Sequence, residues 1–430
     1  MVKLEEHKDL TEHKPIEKSR LPAKVYIPLL QHLGKPCDIV YVKAGDAVKR
    51  GQCLASAENG LFSPIHSSIS GVVKQICDYP HPIVGFCRTI VIESDGKDEA
   101  TDAMVARNDA EVDSLSIDEL RKIVFEAGIV GLGGATFPSH IKLSPKIQLE
   151  NFILNGAECE PYLTTDNRLM IERADEIVKG IRLILKIINP KNCYIAIEDN
   201  KPEAIERMKE YAHMFDWKMV VLKSAYPQGG EKQLIKSCLG KEVPSGKLPF
   251  DVGTLVHNVG TVCAIYEAVY LRKPLYERVV TVTGCCIANP KNILARIGTP
   301  VKDLIEQCGP VLKEPKKIVM GGPMTGVAQY TLEGPVIKGT GGIILFEEVV
   351  EKEEEESFCV RCGECVDNCP MGLNPGLIAM AINKDKLDLA EDLGIMDCIE
   401  CGLCAYVCPG RKGLVQAIKT AKTRIRNAKK

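Results

Sequence analysis

The chain has 430 residues, which by length alone implies about three domains with ample material for several cores. Its 55 basic and 57 acidic side chains leave a formal charge of −2, excluding the strongly basic footprint of a nucleic-acid binder. Nineteen cysteines, an odd number and partly in metal-type spacing, exclude a secreted disulfide scaffold and point to a reducing compartment.

The first residues lack the apolar core of a signal peptide, and Lys179, Arg182 and Lys186 interrupt the best apolar run before it reaches membrane-spanning length. A soluble, cytoplasmic protein is expected, reaching any membrane only through partners. Residues 1–24 are polar, with Pro15 and Pro22, and read as an arm laid over another surface. Residues 25–95 turn to short β-like runs divided by Gly, Pro and Asn. Within them, residues 42–52 and 63–73 resemble the two halves of a biotinyl/lipoyl barrel-sandwich. The stretch matching the modified hairpin tip, residues 57–61, has no lysine, so a scaffold rather than a carrier is expected. His66 and His81, isolated from other ligand types, read as turn or surface residues. Residues 96–115, acidic and without apolar period, read as a linker.

Residues 116–277 alternate helical and strand patterns, which argues a parallel α/β sheet. Ser116 and Glu119 form a capping box opening a helix through Ala127. Gly131-Leu-Gly133-Gly134-Ala135 then clusters glycines before Phe137 and Lys142. Such glycines let backbone N–H groups close on a phosphate, although they also serve simple tight turns; the pattern is neither a Walker loop nor a Rossmann fingerprint. Strands are expected at 152–154, 193–197 and 219–222, with helices at 170–188 and 203–213. Polar clusters sit where ligands bind in such sheets, at strand C-termini: Asn155 to Glu160, Tyr226 to Glu231, and Asn258 to Thr261. Taken singly, Glu158, Glu160 and Glu231 read as loop carboxylates facing water.

Residues 278–346 carry a strand–helix–strand pattern (279–284, 301–308, 317–320) that suits a small β-grasp module. Residues 347–357 form an acidic linker, a solvated charge run. Residues 358–430 hold the strongest pattern in the chain. Cys359, Cys362, Cys365 and Cys369-Pro, then Cys398, Cys401, Cys404 and Cys408-Pro, are two C-x2-C-x2-C-x3-C-P runs, the spacing of bacterial 4Fe–4S ferredoxins. In two-cluster ferredoxins the fourth cysteine of each run ligates the other cluster. One cluster is therefore assigned to Cys359, Cys362, Cys365 and Cys408, the other to Cys369, Cys398, Cys401 and Cys404. A pair of zinc knuckles is the alternative, but zinc sites space C-x2-C pairs further apart and often use histidine, which neither run contains. In the basic tail Leu414, Ile418, Ala421 and Ile425 share one helical face, expected to pack on the cluster domain, while the Lys/Arg face is free to meet a partner.

The order of glycine loop, Asn-x-x-Glu-x-Glu-Pro, Tyr-x-x-Gly-x-Glu, Asn-Val-x-Thr, β-grasp and iron–sulfur module resembles the flavin-binding 51-kDa subunit of respiratory complex I. With a barrel-sandwich in front and two ferredoxin runs behind, the chain is more similar to the RnfC family of Rnf complexes, over nearly its whole length. The resemblance implies a multidomain α/β and α+β protein: barrel-sandwich hybrid, Rossmann-like FMN/NADH domain, SLBB-type β-grasp and two-cluster ferredoxin module. It implies FMN phosphate on Gly131, Gly133, Gly134 and Ala135 near Lys142, with Asn155, Glu158, Asn258 and Thr261 around the ring and ribityl chain. Phe137, Glu160, Tyr226, Gly229 and Glu231 would face NAD(H), and Phe137, Glu158 and Glu160 would act in catalysis. The implied function is ferredoxin:NAD+ oxidoreduction coupled to Na+ or H+ translocation. The implied partners are membrane and peripheral Rnf subunits, with ferredoxin reached through another of them and the chain docked on the inner face of the membrane. Rnf-C-like rivals are a microcompartment cobalamin reductase and a proline-reductase-associated electron-transfer protein. A rival of another class is a non-catalytic relay adaptor with a vestigial flavin site. Leu132 and Ala157 replace an arginine and an aspartate of the complex I pattern, and residues 3–8 do not reproduce the Gly-Gly-Ile-His-Pro-Pro element that usually opens Rnf relatives.

Overall fold

The computed structural model describes residues 2–348 and 358–428; most of the expected acidic linker, residues 349–357, lies outside them. The chain folds as a multidomain α/β and α+β protein. The β-rich start is a sandwich of two sheets. Lys24–Pro28, Gly85–Ser94, Gly71–His81 and Ala47–Val48 form one, and Ile39–Val40, Cys53–Ser56 and Ile65–His66 form the other. Alternating apolar residues such as Val25, Ile27, Leu54, Ile65, Ile90 and Ile92 point between the sheets and are fully buried, as a two-sheet core requires. His66 and His81 are not at the surface. Both are buried, and the His81 imidazole accepts from the Ile83 and Val84 amides, closing the hairpin turn from inside.

The α/β unit has four parallel strands in spatial order Lys218–Leu222, Asn192–Glu198, Asn151–Gly156, Thr254–Asn258. Numbered along the chain this is 3-2-1-4, so the connections reverse direction between Asn151–Gly156 and Thr254–Asn258. That is the switch point at which open α/β sheets leave a crevice beyond the strand C-termini. Helices Ala174–Ile188 and Val259–Tyr270 pack against one another over this sheet. The helix expected over 170–188 is two helices, Thr165–Glu172 and Ala174–Ile188. They break at Arg173, whose backbone leaves the helical region while its guanidinium reaches Glu176 and Glu267. The capping box at Ser116 forms, and a second one, Asn108 with Glu111, starts a short helix, Asp109–Asp113, inside the segment expected as linker.

The β-grasp unit builds a six-stranded sheet in the order Ile16–Lys18, Lys291–Arg296, Glu277–Gly284, Gly342–Phe346, Lys317–Met320, Val327–Ala328. Its edge strand comes from the N-terminal arm, Ile16 pairing in parallel with Asn292. The arm is thus a structural member of two units, because residues 2–12 run across the α/β domain. In the C-terminal unit the stripe of Ile418, Ala421 and Ile425 is buried against Ile378, Ala381, Ala390 and Ile395. Lys422, on the face expected to be free, is itself buried and donates to the Cys398 carbonyl (2.8 Å) and Glu400 (2.6 Å). Among the described residues no helix is long and apolar enough to cross a membrane.

Candidate functional site

The switch point gathers most of the polar residues singled out in sequence. The glycine loop leaves a short bridge between Val130 and Pro138 and is closed by the Gly131 amide donating to the Phe137 carbonyl (2.9 Å). Thr261, in the first turn of Val259–Tyr270, is fully buried. Its hydroxyl accepts from the Leu132 amide at 2.9 Å, so it holds the loop rather than facing an open site. Asn258 caps the same helix: its Oδ1 accepts from the Gly260 amide (2.9 Å), and its Nδ2 donates to Asp166 (2.5 Å). A methyl added at Gly133 would stand 2.8 Å from this fixed side chain, whereas a methyl at Gly134 would meet nothing within 4 Å. Gly133, Gly134 and Ala135 are exposed. The loop therefore presents a bare, open backbone edge at the mouth of the crevice, which fits an anion closed upon by backbone amides.

Asn155, at the end of the central strand, donates to the Gly229 carbonyl (2.9 Å) and accepts from the Ala157 amide, tying the two loops above the sheet. Glu158, in the left-handed region (φ 50°), caps helix Thr165–Glu172. Its carboxylate accepts from Thr165 Oγ1 and the Asp166 and Asn167 amides at 2.6–3.2 Å. Lys142 and Glu231 are bound to each other at 2.7 Å, half-buried, so the residues expected at phosphate and dinucleotide form one ion pair. Two expected nucleotide contacts point elsewhere. Glu160 accepts from the Met324 and Thr325 amides and the Thr325 hydroxyl of the β-grasp turn, and burial raises its carboxyl. Tyr226 is buried, and its hydroxyl donates to the Cys401 carbonyl at 2.6 Å. The partners of both lie far away in sequence, which is why local motifs could not show the link.

Asp166, inconspicuous in the sequence, is the strongest omission. It is buried, and burial followed by repulsion from Glu158 pushes its carboxyl up to about 7. Only its place beside Asn258 marks it. Arg278 was missed for the same reason. It is buried, and its guanidinium donates to the Leu132 carbonyl (3.2 Å) beneath the loop.

The cysteine runs adopt one backbone twice. Arg361 and Glu400, then Gly363 and Gly402, take matching left-handed conformations. No disulfide forms among the described cysteines. Burial raises the Cys365 thiol, and nearby Cys408 and Cys359 add to it. Burial likewise raises Cys404, to about 12, with Cys398, Cys401 and Cys369 adding. The fold thus brings each fourth cysteine towards the other run. Among the described residues no three potential ligands converge on one ion. A cubane asks for a wider arrangement, because its four thiolates bind four different irons. Cys359 and Cys362 are exposed, whereas the Cys401 side abuts the α/β and β-grasp units: a Cβ at Gly402 would lie 2.6 Å from the Met324 carbonyl oxygen.

An anion-type loop at the switch point of a parallel sheet, docked on a paired-cysteine module, is the arrangement of an electron-transfer protein that sets a phosphate-bearing cofactor beside iron–sulfur clusters. Family models agree in chain order: an RnfC barrel sandwich hybrid domain over residues 2–97, a Nuo51 FMN-binding domain over 124–267, an SLBB domain over 279–328 and a 4Fe-4S dicluster domain over 351–409. The chain is 48% identical over 428 residues to the RnfC-type component of a proton-translocating ferredoxin:NAD(+) oxidoreductase complex of Clostridium ljungdahlii, covering 99% of this chain and 93% of that one. It is 42% identical to the corresponding component of the Na(+)-translocating complex of Acetobacterium woodii, covering 97% and 94%. It is 40% identical to that of the ion-translocating oxidoreductase complex of Rhodobacter capsulatus, covering 98% and 82%. The chain belongs to the RnfC family, components of ion-translocating ferredoxin:NAD+ oxidoreductase, or Rnf, complexes.

Proposed function

We propose that this chain is the NAD(H)-interacting electron-transfer subunit of an Rnf complex, catalysing the nicotinamide half-reaction and working at the inner face of the membrane through partner subunits. FMN, when bound, exchanges two electrons at once with a nicotinamide and single electrons with an iron–sulfur cluster, so it joins the two chemistries. The observation that carries the reading is the convergence of the open glycine loop, Asn155, Glu158 and Asn258 at the switch point, where Asn155 bonds Gly229 and the same loop's Tyr226 donates to Cys401 of the cluster module.

In this reading the amides of Gly131, Gly133, Gly134 and Ala135 hold the FMN phosphate. Lys142 turns from Glu231 to neutralise it, and Glu231 becomes free to accept from ribose hydroxyls. Asn155, Glu158 and Asn258 orient the ring and ribityl chain, with Thr261 acting through the Leu132 amide. Phe137 and Gly229 border the dinucleotide, while Glu160 and Tyr226 fix the α/β unit to its neighbours. Cys369, Cys398, Cys401 and Cys404 hold the cluster nearer the flavin. Cys359, Cys362, Cys365 and Cys408 hold the outer one, whose exposed end, flanked by Phe358 and Val360, meets partner subunits. Relatives named for proton and for Na+ translocation are similarly close, and ion movement falls to the partner subunits.

The test is NADH-dependent reduction of ferricyanide or viologen by the isolated chain, reconstituted anaerobically with FMN, iron and sulfide. Turnover that requires FMN is expected. FMN bound stoichiometrically without any NADH oxidation would overturn the catalytic role and leave a relay adaptor.

A further inference from the structure

The N-terminal arm makes dense contacts with the loop that leads from Asn155 into helix Thr165–Glu172. The Lys8 ammonium is buried and donates to three carbonyls of that one loop, Glu158 (2.9 Å), Glu160 (2.9 Å) and Leu163 (2.5 Å). An ammonium has three protons, and here all three are consumed. Nearby, the Tyr162 amide donates to the Glu6 carbonyl (2.7 Å), and Thr11 Oγ1 shares a hydrogen bond with Thr164 Oγ1 (2.8 Å). His7 stacks on the Tyr162 ring, and Val2 forms a bridge with Tyr226.

The pattern of these contacts is selective. The loop contains two non-glycine residues in the left-handed region, Glu158 (φ 50°) and Tyr162 (φ 66°). Such conformations persist only when surrounding structure over-determines them. At both, the arm supplies the fixing bond: Lys8 takes the Glu158 carbonyl, and Glu6 takes the Tyr162 amide. Neither the Glu158 nor the Glu160 carbonyl can flip without unpairing a buried ammonium, whose pKa burial already lowers.

We propose that Lys8 is a positioning residue for the flavin site: by gathering the three carbonyls it fixes the Glu158 loop in the conformation that faces FMN, and the arm is part of the site. This rests on the flavin reading above. Lys8→Met should keep eight irons per reconstituted chain, about the content of two cubanes, yet bind FMN at least tenfold more weakly by fluorescence titration. Amide hydrogen exchange over residues 157–163 should be faster in the flavin-free variant. Lys14, which anchors the same arm to the Pro290 carbonyl (3.0 Å) away from this loop, provides the control. Lys14→Met should bind FMN as the wild type does. Equal weakening by both variants, or wild-type FMN affinity in Lys8→Met, would overturn the proposal. If Lys8→Met fails to fold, Lys8→Arg decides, because a planar guanidinium keeps the charge but cannot aim three protons at three converging carbonyls. Weakened FMN binding in that folded variant supports the proposal, and wild-type binding refutes it. Absence of FMN from the wild-type chain would instead refute the flavin reading itself.

Discussion

Gly133 and Gly134 are neighbours in one loop, and the structure predicts opposite failures for them. A methyl at Gly133 would lie 2.8 Å from both Cβ and Nδ2 of Asn258. Asn258 cannot yield freely, because Gly260 and Asp166 hold both ends of its amide. Relief requires giving up at least one of these bonds, a loss of about 1–3 kcal/mol. Gly133→Ala should therefore lower the melting temperature of the protein before any flavin is added. A methyl at Gly134 meets no protein atom within 4 Å, and Gly134 is not in the left-handed region. Gly134→Ala should melt as the wild type does. Its methyl would stand where the backbone must approach the FMN phosphate, and loss of one charge-assisted N–H contact, about 1.5–3 kcal/mol, weakens FMN roughly ten- to a hundredfold. Thermal melting without FMN and FMN fluorescence titration separate the two effects. Wild-type FMN affinity in Gly134→Ala would refute the phosphate assignment, and a larger melting loss there than in Gly133→Ala would refute the packing argument.

Reconstituted protein should hold about eight iron and eight sulfide, and Cys408→Ser should damage the cluster of Cys359, Cys362 and Cys365. Loss of the Cys398-containing cluster alone, seen by electron paramagnetic resonance, would contradict the crossed ligation. Glu231→Ala should keep flavin and clusters while raising KM for NADH roughly tenfold, about 1.4 kcal/mol; unchanged steady-state kinetics would make the carboxylate only a partner for Lys142. Asp166 has a folded-state pKa raised to about 7, so the folded chain holds this proton more tightly than the unfolded one, and its contribution to stability falls as pH rises through that value. Asp166→Asn, whose amide oxygen can still accept from Asn258, should gain melting temperature over the wild type as pH rises from about 5 to about 8, and a parallel pair of pH curves would contradict the shift. Tyr226→Phe should cost about 1 kcal/mol through the lost bond to Cys401, measured by denaturant unfolding of the reconstituted chain.

Much of this architecture is legible in local patterns. The strand at Lys317–Met320 and the capping box at Ser116 follow from a short apolar, β-branched run and from cap chemistry, and the cysteine spacing alone specifies two clusters. The tail stripe from Leu414 to Ile425 likewise follows from a 3.6-residue period. What escapes is any side chain whose partner is far off in sequence. Lys8 looks like one charge among many in a polar arm, and nothing nearby announces that its three acceptors lie 150 to 155 residues onward. Asp166 sits in an ordinary helical pattern, and Tyr226 in an ordinary loop. The break at Arg173 is hidden because Glu267, which draws the guanidinium over, belongs to another helix. Burial misled in the same way at His66 and His81: isolation from other ligands argues against a metal site but says nothing about exposure.

The parallel pairing of Ile16 with Asn292 sets an order of events on the ribosome. The arm is made first, yet its edge of the sheet does not exist until some 276 residues later, the difference between those two positions. At about 5–20 residues per second that is a wait of roughly 14–55 s, and the last helix of the α/β unit, ending at Tyr270, is made only near its close. The arm can settle on the Glu158 loop well before its own strand has a neighbour. Assembly then proceeds as a strap fastened at one end and drawn tight at the other, and a bulky fusion placed ahead of Val2 would trail across both closures while they form.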